Sequence, residues 1–185
     1  GKVCEAGCGL GRYVFYLNRL GVDIVGLDFE RKTVEYLNQW KLNKGFEELS
    51  FIEGDVTNLP FEDDSLSGYI SLGVVEHFIE GPQRPIGEAY RVLRPGGIAI
   101  ITTPSLSWSH LYFKLENNSK RILKKMLLKK VSKKTFFQYE YNPWTLKKHI
   151  EKQCFYISRY SGADWLFTFT QFGDYTDKYI KRNKI

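Results

Sequence analysis

The sequence predicts a doubly wound α/β domain with a mostly parallel sheet, and three observations lead there. Short β-branched or apolar runs alternate with longer stretches of helical period from Gly1 to Thr103. A glycine-rich turn stands where the first of those runs meets the first helical stretch. Two aromatic-rich runs near the C-terminus follow each other without an intervening helix, as an antiparallel hairpin would.

Five strands are expected, at Val3 to Ala6, Asp23 to Leu27, Leu49 to Glu53, Tyr69 to Leu72 and Ile98 to Thr102. Between the first two, Val14, Leu17 and Leu20 recur at helical spacing, and Val34, Leu37 and Trp40 do so before the third. Ile86, Ala89, Tyr90 and Leu93 form the stripe of the helix that precedes the fifth strand. That helix is expected to end at Arg94-Pro95-Gly96-Gly97, where proline blocks continuation and glycine permits a left-handed turn. After Pro104 comes a polar, then lysine-rich stretch. Asn142-Pro143 follows as N-cap and first residue of a helix whose apolar face is Leu146 and Ile150. Phe155 to Tyr160 and Trp165 to Phe169, separated by Ser161-Gly162-Ala163, complete the expected hairpin.

The 185 residues fit one domain, and no apolar run approaches the roughly 18 residues of a membrane span. Cys4, Cys8 and Cys154 are odd in number and lack paired metal-ligand spacing, which points to a reducing, cytoplasmic setting and no structural metal. The net charge of +6 is local: nine basic residues against Glu116 alone between Lys114 and Lys134 give +8 there and leave −2 for the rest. Within 120–134, Leu123, Leu127 and Val131 lie at i, i+4, i+8, so the segment reads as a basic amphipathic helix. A solvated lid helix is the plain reading. Contact with an anionic or lipid-linked substrate or an anionic membrane surface is the functional one, and nucleic acid is disfavoured because no stacking motif accompanies the lysines.

The chemistry concentrates in Glu5-Ala6-Gly7-Cys8-Gly9-Leu10-Gly11-Arg12. Glycines at alternate positions remove Cβ atoms that would hold a ligand off the backbone, and the helix start adds unpaired N–H groups. A turn needed only to pack helix on sheet is the competing reading. A dinucleotide turn requires Gly-x-Gly-x-x-Gly, and Leu10 or Arg12 stands where its third glycine belongs. An acid followed by Gly-x-Gly-x-Gly instead resembles motif I of the class I S-adenosylmethionine-dependent methyltransferases. Asp28, Phe29, Gly54-Asp55-Val56, Ser71 to His77 and Arg91 to Gly97 resemble the later elements of that family in the same order.

The resemblance is strong over residues 1 to about 103 and looser over 135 to 160. It implies a Rossmann-like, seven-stranded, mostly parallel sheet with helices on both faces, a single domain over 1–185, and a basic aromatic insert or lid over 104–141. It also implies S-adenosylmethionine as cofactor. Glu5 would orient the cationic donor, and the backbone at Gly7, Cys8, Gly9 and Gly11 would cradle it. Asp28 would take the ribose hydroxyls, Phe29 would lie on adenine, Asp55 and Val56 would meet its edge, and Leu72 and Gly73 would close the site.

The expected reaction is methyl transfer to a small-molecule acceptor by direct displacement, without metal. His77 is the candidate base for a hydroxyl or carbon acid, while an amine needs only proximity. His110 and His149 read as structural. Trp108, Tyr112, Phe113, Phe136, Phe137, Tyr139 and Tyr141 are candidates for an apolar acceptor pocket, and equally for core. The rival is a noncatalytic S-adenosylmethionine-binding or interaction module, with a nicotinamide-dependent oxidoreductase a distant third. Three departures from the family stand out: Ser67 where an acid is usual, Cys154 where a helix-ending glycine is usual, and no helical segment ahead of motif I to cover the cofactor.

Overall fold

The computed structural model describes residues 1–105, 136–163 and 174–182. Its centre is a sheet of five parallel strands in the order β3-β2-β1-β4-β5. These are β1 (Val3–Ala6), β2 (Ile24–Asp28), β3 (Ser50–Glu53), β4 (Leu66–Leu72) and β5 (Leu93–Ser105). The order reverses between β1 and β4, which opens a crevice at their carboxyl ends.

Both faces of the sheet are covered. On one, Val14 of α1 (Arg12–Arg19) and Val34 and Leu37 of α2 (Arg31–Leu42) pack with Ile24, Phe51 and Ile70. On the other, Ile86 and Ala89 of α3 (Gln83–Val92) and Leu146 and Ile150 of α4 (Pro143–Glu151) pack with Cys4, Leu27 and Tyr69. Each helix buries one apolar stripe, as its sequence period requires. Leu20 falls outside that arrangement: it lies one residue past α1 and is exposed.

The start of α4 follows its expected chemistry closely. Asn142 holds an extended backbone, its Oδ1 accepts from the Thr145 N–H at 2.8 Å, and Pro143 occupies the first turn, where no N–H is missed. The far end is strained. Cys154 sits at φ 60°, a left-handed conformation that glycine adopts freely and cysteine does not.

Strand ends shift by up to a few residues from the sequence expectation, and two differences change how an element is read. α3 stops at Val92 rather than at Pro95, because Leu93 is already extended and paired with Leu66. The ladder resumes at Ile98 opposite Gly68, so Arg94-Pro95-Gly96-Gly97 is an irregularity inside the strand, with Gly96 at φ 77°. The second difference concerns Ser161-Gly162-Ala163, which is strand and not turn. It ends β6 (Phe155–Ala163) and pairs with residues 175 to 177 of β7 (Asp174–Arg182), which itself runs antiparallel to β5. Small residues permit a turn without requiring one, and ladder hydrogen bonds with β7 outweigh that local preference. The expected second arm, Trp165 to Phe169, lies outside the described residues, as does the 120–134 segment.

Candidate cofactor and methyl-transfer site

Gly7, Gly9 and Gly11 all have left-handed backbones, at φ 77°, 51° and 69°, which explains why glycine recurs at alternate positions. Their surroundings separate their roles. A Cβ on Gly7 would stand 2.4 Å from Val74 Cγ2, and one on Gly11 would stand 2.8 Å from Phe51 Cε1. Those two glycines let the turn pack against the protein itself. Gly9 has nothing within 4 Å of that position, so it is the glycine that opens onto free space.

The turn is held from β2. Gly7 and Cys8 both donate to the Leu27 carbonyl, at 2.8 and 3.0 Å. Asp28 Oδ2 accepts from the Gly9 N–H at 2.7 Å, and Oδ1 accepts from the Glu30 N–H at 3.0 Å. Each carboxylate oxygen keeps a second lone pair for a ligand hydroxyl. Phe29 follows with 78% of its surface exposed, an apolar side chain presented at the strand end. Asp55 Oδ1 accepts from the Thr57 N–H at 2.7 Å, closing a local turn beyond β3, while Val56 turns into the core.

Two buried carboxyls flank the crevice. Glu5, at the end of β1, is 3% exposed, and its Oε2 finds no hydrogen-bond partner among the described residues. Burial pushes its acid up to about 7, with the Asp28 charge adding to the shift and the Val14 N–H opposing it. Glu76 sits in the 3-10 turn Val75–His77 and is 1% exposed, again with Oε2 unpartnered. Burial raises it to about 7 as well. In the sequence Glu76 is visible only as an acid beside a histidine after β4, and nothing local announces its burial.

Cys8 contributes through its backbone. Its thiol faces the Gly26 backbone in the core and is pushed up to about 12, by burial first and then by Glu5 and Asp28. It is therefore a poor nucleophile. Leu72 and Gly73 close the other side of the crevice, and Gly73, at φ 70°, donates to the Thr102 carbonyl at 3.1 Å.

His77 is exposed, and its Nδ1 lies 3.0 Å from the Phe137 carbonyl. A carbonyl only accepts, so Nδ1 carries the proton of this bond, and in the neutral ring that places the lone pair on Nε2. The same 136–141 strap donates Tyr139 N–H to Glu76 O at 2.8 Å and Tyr139 O–H to Ile79 O at 2.7 Å. Phe137 stands exposed with its ring 5.4 Å from that of His77, exposed Phe136 and Tyr139 pack on each other in the same strap, and Tyr141 joins the core. Trp108, Tyr112, Phe113 and His110 lie outside the described residues. His149 pairs with Gln83 Nε2 at 2.9 Å, on the α3 side of the strap.

A second clamp, also absent from the sequence reading, fixes the loop after β3. Arg91 donates to the Leu59 and Phe61 carbonyls at 3.0 and 2.8 Å and pairs with Glu88 and Asp63, while Glu88 accepts from the Leu59 N–H at 2.7 Å.

A parallel sheet with its crevice at the β1/β4 reversal, a turn of left-handed glycines and an acid at the end of β2 define a nucleoside-cofactor α/β domain. The chain belongs to the methyltransferase-domain family, whose family model matches residues 4–101. A probable S-adenosylmethionine-dependent methyltransferase of Mycolicibacterium smegmatis is 30% identical over 103 residues, covering 56% of this chain and 38% of that protein. The 2-methyl-6-phytyl-1,4-hydroquinone methyltransferase 2 of Oryza sativa is 35% identical over 108 residues, covering 56% and 29%. The chain thus matches only 29–38% of the length of these relatives. Among solved structures, an S-adenosylmethionine-dependent methyltransferase from Methanosarcina mazei superposes with a TM-score of 0.75 at 17% identity, covering 99% of this chain and 93% of that one. Magnesium protoporphyrin IX methyltransferase from Synechocystis, solved with bound S-adenosylhomocysteine, also gives 0.75, at 18% identity and 98% and 74% coverage. These likenesses place the fold among the class I S-adenosylmethionine-dependent methyltransferases.

Proposed function

We propose that the protein transfers a methyl group from S-adenosylmethionine to a small-molecule acceptor by direct displacement. The observation that carries this reading is Gly9: left-handed, open to space at its Cα, and tied through its N–H to Asp28. A larger residue there would intrude on the space a bound cofactor needs. S-adenosylmethionine supplies a methyl group already made electrophilic by its sulfonium.

The protein's own groups then have distinct tasks. The backbone of Gly7, Cys8, Gly9 and Gly11 forms the cradle, Asp28 accepts from ribose hydroxyls, and Phe29, Asp55 and Val56 frame the adenine. Glu5, Leu72 and Gly73 bound the methionine end. His77 Nε2 takes the proton when the acceptor is a hydroxyl or a carbon acid. The exposed aromatics Phe136, Phe137 and Tyr139 of the strap support an apolar acceptor. So do relatives named for phytyl-hydroquinone and phthiotriol dimycocerosate substrates. The lysine-rich 120–134 segment fits a lipid-linked or anionic acceptor, or the membrane surface that carries it.

In this reading residues 1–185 form one domain, 104–141 is its acceptor-side insert, and the sheet is completed to seven strands by the antiparallel pair β7 and β6. The free cysteines Cys4, Cys8 and Cys154 support a cytoplasmic setting. Calorimetric titration with S-adenosylmethionine and with NAD tests the cofactor assignment. Saturable binding of the methyl donor alone, weakened in Asp28→Ala, is expected; NAD binding, or donor binding indifferent to the substitution, overturns it.

A further inference from the structure

The carboxyl of Glu76 has no task in the scheme above, yet its position is demanding. One oxygen, Oε1, lies 3.5 Å from where a Cβ on Gly73 would stand, so the carboxyl rests against the backbone that closes the crevice on the β4 side. The neighbouring Val74 packs onto Gly7, which brings the 73–76 segment against the glycine turn from across the β1/β4 reversal. Its own backbone N–H stabilises the charged form, while Oε2 has no partner among the described residues. Of the ion pairs formed by the described lysines and arginines, none involves Glu76. Its titratable neighbours are His77, next in sequence, and Tyr141, which approaches from the strap.

An uncompensated buried carboxyl is costly, and the cost falls when a cation enters beside it. The cofactor assigned above exists in two charge forms: the donor carries a sulfonium, and the demethylated product, S-adenosylhomocysteine, carries a neutral thioether in its place. We propose that Glu76 is the buried counter-charge that makes this site prefer the sulfonium donor to its neutral thioether product. Glu5 lies in β1 just ahead of the glycine turn; Glu76 is buried behind Gly73, on the β4 side of the reversal. Preference for the donor over the product favours product release after each transfer, which a site built only of backbone amides and apolar walls does not provide. This inference rests on the S-adenosylmethionine reading.

The test is calorimetric titration of the wild-type chain and of Glu76→Gln with S-adenosylmethionine and, separately, S-adenosylhomocysteine. The substitution keeps the shape of the side chain and removes its charge. It is expected to lower donor affinity by about tenfold while product affinity stays within about threefold, so that the ratio of the two collapses. An equal loss for both ligands, or an unchanged ratio, overturns the proposal and leaves Glu76 a structural residue. Binding of neither ligand by the folded wild type overturns the cofactor reading itself and this inference with it. Should Glu76→Gln fail to fold, the wild type is titrated in two buffers of different ionisation enthalpy at neutral pH. Protons released with the donor and not with the product support the assignment, and identical proton release for the two ligands overturns it.

Discussion

Asp28 Oδ2 and the Gly9 N–H meet at 2.7 Å, joining the end of β2 to the middle of the glycine turn. The bond fixes the open glycine relative to the carboxylate that would hold the ribose, so in the proposed reading one side chain would both build the cradle and bind in it. Asp28→Ala removes two charge-assisted acceptors from backbone N–H groups. It is expected to cost about 1–3 kcal/mol of stability and at least about tenfold in donor affinity. Denaturant unfolding and calorimetry read the two effects separately; an unchanged affinity would remove Asp28 from the site.

The three glycines should respond differently to alanine. Gly7→Ala puts a Cβ 2.4 Å from Val74 Cγ2 as well as into a left-handed backbone, and a loss of more than about 3 kcal/mol is expected, partly relieved by Val74→Ala. Gly9→Ala meets no protein atom, so only the backbone cost of about 1–2 kcal/mol applies, and donor binding should suffer far more than folding. Thermal melts with and without donor distinguish the two outcomes.

Cys154→Gly should stabilise the protein. The residue holds φ 60°, where a side chain is strained, and relief outweighs the extra freedom of glycine in the unfolded chain by about 0.5–1 kcal/mol. A fall in midpoint denaturant concentration would show that contacts of the cysteine side chain matter more than its backbone.

The pH dependence of stability follows from Glu5 and Glu76, both raised from the ordinary 4.5 to about 7 by burial. A carboxyl with a raised folded-state pKa favours the native state while protonated. Its contribution is complete below about 4.5 and is lost as pH rises through about 7. Stability of the ligand-free protein should therefore decline between about pH 4.5 and 7, by up to about 3 kcal/mol for each group. Glu5→Gln and Glu76→Gln should each flatten part of that slope in unfolding titrations across the range. A slope unaltered in both variants would assign it elsewhere.

Arg91→Lys tests the clamp on the loop after β3. A lysine retains the charge but lacks the fork that reaches Leu59, Phe61, Asp63 and Glu88 together. A loss of about 1–3 kcal/mol is expected, close to that of Arg91→Ala, because geometry and not charge holds the loop. Full retention of stability by the lysine variant would argue the reverse.

How far the sequence reached depended on whether the deciding physics was local. Val3 to Ala6, the Ile86/Ala89 stripe and the Asn142-Pro143 cap were legible because period and capping act within a few residues. The left-handed strain at Cys154 was legible as a departure from an expected glycine. The division of labour among Gly7, Gly9 and Gly11 was not, since Val74 and Phe51, which occupy the space beside two of them, arrive from the turn after β4 and from β3. Ser161-Gly162-Ala163 misled for a related reason: a turn-compatible triplet becomes strand once β7 offers a partner. Glu76 escaped because its burial depends on the strap returning over it, with Tyr139 bonded to its backbone.

The chain leaves the sheet at the end of β5 and is recaptured at Phe137 and Tyr139 by three hydrogen bonds to the turn after β4. Re-entry is thus set by the turn that carries Glu76 and His77, so the same few residues place both the strap and the candidate base.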